Sequence, residues 1–452
     1  MASSAAAVPA SVAGPPSLEL VLATNESITI ELDPLPAADE LEVVVEVLVE
    51  EKPPAYFWTA LAARCWNAGR RAEAELIVSR GCSILPVHRP EESAPVLALQ
   101  AAFLLADARG APKQVLDDAR YQPLGATAPK QHYFRQAAEA LSRAQSLHPQ
   151  HPLLLQARAV LALVTGDSAL AAKLFDVLLA RTPEHIVALL GRACLQLRAR
   201  QPLAALQTYQ HALRLVVRVH QSGARWPGPD PRVGIGLCLW ALGRHDAARR
   251  AWHRAAAVDP DASAPRLLLG LALVHAAKQT SALPSGFYGA ATERADDAAR
   301  RAAYADGLVH LQAAWQRDKT CAMAAVALAA HLSTQTAHAL AAQLPPAHDM
   351  STPMQALSGD DATLARALKL SEHAVQYADA RSVVVHAWLQ FALALHAASR
   401  LPQHAGDHSL GLLAQRYYAR ALEALARTPS DEQTHPLTQG LALTALSFAQ
   451  LQ

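Results

Sequence analysis

Four stretches decide the fold: QAAEALSRAQSLHP (136–149), LAAKLFDVLLARTP (170–183), LAALQTYQHALRL (203–215) and DAARRAWHRAAAVDP (246–260). Ala137, Ala171 and Ala205 stand 34 residues apart, and the same step separates Leu141, Phe175 and Tyr209, then Ala144, Leu178 and Ala212, then Pro149 and Pro183. Ala248, Trp252, Ala255 and Pro260 repeat the internal offsets of four, seven and twelve residues after a nine-residue insertion that contains Gly223, Pro227, Gly228 and Pro229. Offsets of four and seven lie on one face of an α-helix. Small residues on that face let two helices approach to about 8–10 Å, the ring fills the gap to the next repeat, and the proline stops the helix.

A 34-residue period with this content is the tetratricopeptide-repeat (TPR) pattern of paired helices. The chain is therefore expected to be all-α, a TPR right-handed superhelical solenoid preceded by a short extended and acidic helical segment. The first helices of the pairs carry Ile235-Gly236 and Leu269-Gly270 at the Leu-Gly position, and Trp58 and Leu61 open the earliest copy, YFWTALAARCWNAGRRAEAELIV (56–78). Gly69, Gly166 and Gly243 fall at the turn inside a pair, where a residue with positive φ is wanted. Later copies are more diverged: DGLVHLQAAWQRDKTCAMAAVALAAHL (306–332), then VVVHAWLQFALALHAASR (383–400) paired with LAQRYYARALEALARTP (413–429). The domain reading is a disordered tail at 1–17, an acidic segment of one strand and one helix at 18–51, and a TPR array over 52–452. Surface loops interrupt that array near 108–130, 279–300, 340–362 and 400–409. The last stretch, HPLTQGLALTALSFAQLQ (435–452), reads as the first helix of a further pair with nothing to cover it, as expected of a piece of a longer protein.

Of the 452 residues, 52% are hydrophobic but only 5% aromatic, which suits closely packed helices. The net charge of +1 argues against a strong field for nucleic acid or an anionic membrane. It hides an asymmetry: residues 1–51 hold ten Asp or Glu and no Lys, Arg or His, leaving 40 basic against 29 acidic residues beyond them, a net +11. The five cysteines, Cys65, Cys82, Cys194, Cys238 and Cys321, are far apart and make no CxxC pair, which fits a reducing compartment. Residues 1–16 lack the basic region of a secretory signal, and no run of eighteen apolar residues occurs, so no membrane partner is expected.

The first helices are apolar on nearly every side: LLLQARAVLALVTG (153–166), IVALLGRACLQL (186–197), RVGIGLCLWALG (232–243) and PRLLLGLALVHAA (265–277). Counted from the Leu-Gly position, Val160, Leu163, Leu190, Leu197, Val233, Leu237, Trp240, Leu267, Leu271 and Val274 should face the concave groove rather than the neighbouring helix. Such a groove would hold an apolar segment of another chain. The alternative is a register one residue off, in which case these side chains form core.

Other patterns carry less. Gly234-x-Gly236 lacks the preceding strand of a nucleotide-binding turn and falls where helix packing needs small residues. His404 and His408 are close in sequence but have no second ligand pair, His148 and His151 flank a helix-ending proline and should cap or face solvent, and each cysteine sits in an apolar slot as an inert thiol. Arg249, Arg250 and Arg254 cluster on a second helix, read as a solvated convex face rather than a nucleic-acid patch. Nothing resembles a P-loop, a Ser-His-Asp set or paired catalytic carboxylates, so no catalytic residue, metal or cofactor is expected.

The segment 27–78, SITIELDPLPAADELEVVVEVLVEEKPPAYFWTALAARCWNAGRRAEAELIV, goes beyond the generic repeat. With Ile28, Ile30, Leu32, Asp33, Leu35 and Pro36, an acidic helix over Asp39–Glu50 and Trp58, it resembles the start of the TPR subunit of the RNA polymerase II-associated factor (PAF) complex, the Cln-three-requiring protein nine family. The likeness continues through HIVALLGRACLQLRARQPLAALQTYQHALRL (185–215) and GIGLCLWALGRHDAARRAWHRAAAVDP (234–260), covering most of 27–330. The resemblance implies a nuclear scaffold that holds other PAF-complex subunits in its groove, associates with elongating RNA polymerase II, directly or indirectly, and supports transcription-coupled histone modification. It implies no active site and no direct nucleic-acid partner. Family members are longer, with a charged C-terminal tail that this chain lacks. Two other classes stand beside it. A co-chaperone that clamps a terminal carboxylate would need Lys, Arg and Asn along the groove, and an enzyme with appended repeats would need a separate domain larger than any non-repeat segment here.

Overall fold

The computed structural model describes residues 17–22, 26–114, 128–221, 226–279, 290–343, 361–378, 381–399 and 408–426. Within them the chain is an all-α array of TPR helix pairs with one small hairpin at its start. It divides into two compact units: Met1–Arg109 with Gln131–Ala255, and Gly110–Lys130 with Ala256–Gln452.

The first unit opens with β1 (Ser17–Val21) and β2 (Ser27–Glu31), an antiparallel pair that sets Leu18 opposite Ile30. Sequence reading expected one strand and a tail through residue 17. A five-residue strand with only Leu18 and Leu20 pointing inward gives too short an alternation to be noticed, and pairing with β2 is what makes it a strand. Then comes α1 (Ala38–Glu51), whose Leu41, Val45 and Leu48 recur at helical spacing and are buried. They share one core with Leu18, Leu20, Ile30 and Leu32 of the hairpin region and with Trp58, Leu61, Cys65 and Ile77 of the first pair, α2 (Ala55–Asn67) and α3 (Arg71–His88). Polar contacts fix the connector: Arg64 Nε donates to the Leu32 carbonyl at 2.9 Å and pairs with Asp33 at 2.9 Å, while Arg70 reaches the Pro36 carbonyl. The acidic head thus docks in cis and covers the end of the array, with Asp39, Glu40, Glu42, Glu46 and Glu50 facing outward.

The remaining helices of this unit are α4 (Ser93–Gly110), α5 (Lys130–Leu147), α6 (Pro152–Thr165), α7 (Ser168–Arg181), α8 (Ile186–Arg198), α9 (Pro202–Gln221), α10 (Pro231–Ala241) and α11 (His245–Val258), which runs just past its boundary. Every rung of the 34-residue ladder is buried: Ala137, Ala171, Ala205 and Ala248; Leu141, Phe175, Tyr209 and Trp252; Ala144, Leu178, Ala212 and Ala255. Pro149, Pro183 and Pro260 each follow a helix end by two residues. The rings need seats without side chains. A Cβ on Gly191 would lie 2.2 Å from the Phe175 ring, one on Gly234 2.4 Å from the Tyr209 ring and one on Gly236 2.1 Å from the Trp252 indole. Phe175 and Tyr209 therefore join consecutive pairs. Trp252, by contrast, closes its own pair, and its Nε1 donates to the Val233 carbonyl at 3.1 Å. The insertion before α10 tucks Trp226 into the core beside Leu215 and Val216, its Nε1 donating to the Pro229 carbonyl at 3.1 Å.

A residue with positive φ ends the first helix in four of the pairs. Gly69, Gly166 and Gly243 have φ of 81°, 93° and 74°, and at the equivalent place, 34 residues after Gly166, Arg200 has φ 58°. Arg70, Gln201 and Arg244 each donate backward to the carbonyls of Cys65, Gln196 and Leu239 at 2.9 Å, closing the helix with a left-handed residue.

The second unit holds the connector before α5 together with α12 (Ser263–Gln279), α13 (Ala290–Arg317), α14 (Ala322–Gln343), α15 (Asp361–Tyr377), α16 (Arg381–Ser399) and α17 (His408–Ala426). Pairing runs α12 with α13, α14 with α15 and α16 with α17. α12 and α13 touch backbone to backbone, since a Cβ on Gly270 would meet the Gly307 carbonyl at 2.8 Å. The sequence reading assigned 279–300 to a loop, but α13 begins at Ala290; its charged first turns, with Asp297 paired to Arg300, look like a loop by composition alone. α15 was not singled out and supplies the partner of α14, while 344–360, 400–407 and 427–452, including the expected last helix, lie outside the described residues. In the connector, Ala111 and Pro112 are buried, and Lys113 and Gln114 donate their backbone N–H groups to the Gln376 carbonyl at 2.9 and 3.4 Å, the Gln114 side chain adding a bond to the Val375 carbonyl at 3.1 Å. They cap the C-terminal end of α15.

Two substitutions probe this packing by chemical denaturation. Gly234→Ala should cost about 1–3 kcal/mol by overpacking against Tyr209, despite the better helix propensity of alanine, and adding Tyr209→Leu should recover part of the loss. Arg200→Gly should stabilise the chain by about 1 kcal/mol, because an L-residue in the left-handed region carries roughly that strain.

Candidate functional site: the inner faces of the first helices

The first helices of successive pairs, α6, α8 and α10 in the first unit and α12 in the second, each bury one stripe completely. In α6 it is Leu154, Leu155, Ala157, Ala159 and Ala162; in α8, Ile186, Ala188, Leu189, Gly191 and Ala193; in α10, Pro231, Gly234, Gly236 and Cys238. Small residues dominate because the ring joints lie there. Gly234-x-Gly236 is explained by this alone: one glycine seats Tyr209 and the other seats Trp252.

Beside its buried stripe each of these helices carries a second one. Val160 and Leu163 of α6, Leu190 and Leu197 of α8, Val233, Leu237 and Trp240 of α10, and Leu267, Leu271 and Val274 of α12 are all half-buried, neither core nor fully exposed. Their positions repeat: Leu163 to Leu197, Val233 to Leu267, Leu237 to Leu271 and Trp240 to Val274 are steps of 34 residues. The two missing places are Gln156 and Cys194, also half-buried and also one step from Leu190 and Val160. A reading that picked out only aliphatic and aromatic residues passed over them, although the period alone points to both.

The ten residues divide by unit. Leu163, Leu190 and Leu197 lean on the cores below them, and Trp240 lies with its ring centroid 4.2 Å from His245 and 5.8 Å from Trp252. In the second unit Leu267, Leu271 and Val274 pack against the main core, Val274 beside Gly307. A charged residue at Leu271 would therefore disturb folding, whereas Leu237 offers a cleaner probe of the face.

The helices that present this face are pinned at their N-termini by side chains 34 residues apart. His151 Nδ1 accepts the Leu153 N–H at 3.3 Å and His185 Nδ1 accepts the Ala188 N–H at 3.2 Å, while Asp230 caps α10 through the Arg232 N–H at 2.8 Å. Burial, joined by the neighbouring His148, lowers the His151 pKa; burial also lowers that of His185, against its backbone hydrogen bond. Among the cysteines, burial pushes Cys65, Cys82 and Cys238 up to about 11 and also raises Cys194, which leaves all four protonated and weakly nucleophilic. Of the Arg249, Arg250 and Arg254 cluster, Arg249 pairs with Asp246 and the other two are exposed on α11. His404 lies outside the described residues, and His408 begins α17. Among the described residues no group of three or more His, Cys, Asp or Glu side chains is arranged to hold a metal ion, and no helix is long and apolar enough to cross a membrane.

Two known proteins are similar to this chain in sequence. Tetratricopeptide repeat protein 1 of Schizosaccharomyces pombe is 31% identical over 257 residues, 56% of this chain and 23% of that protein. Protein CTR9 homolog of Arabidopsis thaliana is 27% identical over 254 residues, 55% of this chain and 21% of that protein. The matched stretch thus spans less than a quarter of either relative. No family model matches the chain. Among solved structures, a TPR protein from Parabacteroides merdae has a TM-score of 0.38 at 14% identity, covering 75% of this chain and 98% of its own. IFIT1 bound to Gppp-AAAA has a TM-score of 0.43 at 13% identity, covering 91% and 85%.

The histidine caps make the array sensitive to acid. A neutral imidazole accepts the cap bond and a protonated one does not, and the unfolded chain binds protons below about pH 6.5 that folded His151 and His185 resist. Stability is therefore complete above that range and falls as the pH drops from 7.5 to 5. Thermal melts should show the midpoint decreasing with acidification, and the double variant His151→Asn, His185→Asn should flatten that slope.

Proposed function

We propose that the chain is a TPR scaffold that holds a partner protein along the inner faces of its first helices, in the manner of the TPR subunit of the PAF complex. The observation that carries this reading is the second stripe: half-buried, mostly aliphatic side chains at equivalent places of α6, α8 and α10, the pattern expected of a wall that another polypeptide completes. The likeness of residues 27–78 to the Cln-three-requiring protein nine family and the match to the Arabidopsis CTR9 homolog support the PAF assignment. On this reading the protein is nuclear, it assembles other PAF-complex subunits, and its link to elongating RNA polymerase II and to histone modification runs through them.

A second reading, a TPR adaptor or co-chaperone binding a peptide terminus in the groove, would call for Lys, Arg and Asn on the inner row to clamp a carboxylate. On α6, α8 and α10 the row is mostly aliphatic, with Gln156 and Cys194 its polar members and no Lys, Arg or Asn among its half-buried places, which favours the first reading.

Affinity capture of tagged full-length chain from nuclear extract, with partners identified by mass spectrometry, tests the proposal. Wild type should recover PAF-complex subunits and polymerase, and Leu237→Asp, at a half-buried place on α10, should cut that recovery at least about tenfold while leaving the helical content intact. Chaperones as the sole identified partners, or undiminished recovery with Leu237→Asp, would refute it.

A further inference from the structure

We infer that the segment received by α6, α8 and α10 is an amphipathic helix whose aliphatic anchors are flanked by carboxylates; this rests on the inner-face reading above and adds the charge of the partner. The argument starts from a local imbalance that the net charge of the whole chain conceals. Residues 152–255 contain fourteen Lys or Arg and five Asp or Glu, and between Glu184 and Asp230 there is no acidic residue at all. All five acids are engaged. Asp167 accepts the Leu170 N–H at 3.0 Å as a helix cap; Asp176 pairs with Arg192 at 3.6 Å, Glu184 with Arg218 at 3.1 Å, Asp230 with Arg232 at 2.9 Å and Asp246 with Arg249.

The surplus charge reaches the inner face. Arg198 continues the half-buried stripe of Leu190, Cys194 and Leu197 at the spacing that keeps a helical face, and it is exposed. No carboxylate meets it among the described residues; its guanidinium instead reaches the Leu163 carbonyl of the preceding first helix at 3.5 Å, so the charge stands across the row between two repeats. Arg244, exposed at the turn that follows α10, is a second cation at the C-terminal end of one of these first helices. An apolar strip edged by cations is matched by an aliphatic strip edged by anions. Single-stranded nucleic acid also seeks cations, but it needs aromatic platforms for its bases, and the stripe holds one ring, Trp240, among Val160, Leu163, Leu190, Val233 and Leu237.

The test titrates full-length chain against three labelled synthetic helices of about 18 residues, or five turns, that share one Leu face and carry Glu, Gln or Lys along its edges, with poly(U) as a fourth probe. At about 50 mM salt the Glu helix should bind about tenfold tighter than the Lys helix, and the gap should narrow to about threefold near 0.3 M as the charges are screened. Arg198→Glu with Arg244→Glu should erase that preference without moving the thermal midpoint. If Gln and Glu helices bind alike, or the Lys helix binds as well, the charge inference fails while the apolar face stands. If no helix binds, both fail. Poly(U) displacing the Glu helix would overturn the inference in favour of nucleic acid.

Discussion

An aromatic ring pressed onto a backbone that carries no side chain is the contact on which the first unit depends. Phe175 against Gly191 and Tyr209 against Gly234 join one helix pair to the next, and Trp252 against Gly236 closes a pair on itself. Because no methyl group fits between ring and helix, the spacing of successive pairs is set by hard contact rather than by a general preference for burial. The alanines of the ladder bring the two helices of each pair close enough for the rings to reach, and the left-handed turns return the chain at the right point. Remove the side-chain-free seats, and the repeat loses its register before it loses its hydrophobicity.

What could be read in advance follows from which of these constraints leave a mark on single residues. Ladder alanines, rings and stop prolines recur at a fixed step, and every one of them lies where that step put it. The turn glycines were equally visible. Arg200 was not, because its place demands a backbone angle rather than a residue type, and only the 34-residue step from Gly166 betrays it. The strand at Ser17–Val21 escaped notice because its meaning depends on a partner ten residues on, and the start of α13 because a solvated helix and a loop share a composition. For the row proposed to line the groove, the repeat step groups the half-buried places and composition obscured two polar ones, Gln156 and Cys194. How deeply the row is buried could not be told from the sequence, since half-burial arises from the angle at which neighbouring helices meet.

Charge is partitioned as sharply as hydrophobicity. Six of the ten acids of the first 51 residues lie on α1, where Leu41, Val45 and Leu48 face the core and leave Asp39, Glu40, Glu42, Glu46 and Glu50 outside, whereas the later pairs of the same unit carry most of the cationic excess. A capping element with a polar outer face is what the exposed end of a stacked array requires, and here the same residues also keep that end strongly negative. The cationic pairs have the opposite need, an apolar seam within reach of unmatched arginines.

The backbone bonds from Lys113 and Gln114 to the end of α15 bear on how the molecule can be taken apart. They join residues more than two hundred and fifty positions distant, 261 in the case of Gln114 and Val375. A clone of the second unit that begins after α11 would be born without the cap that its own α15 uses, and the nascent chain must keep that short stretch waiting until α15 has been made. The natural seam for dissecting this protein is therefore not a single cut, and a fragment map drawn along the primary structure would misassign which half a given residue supports.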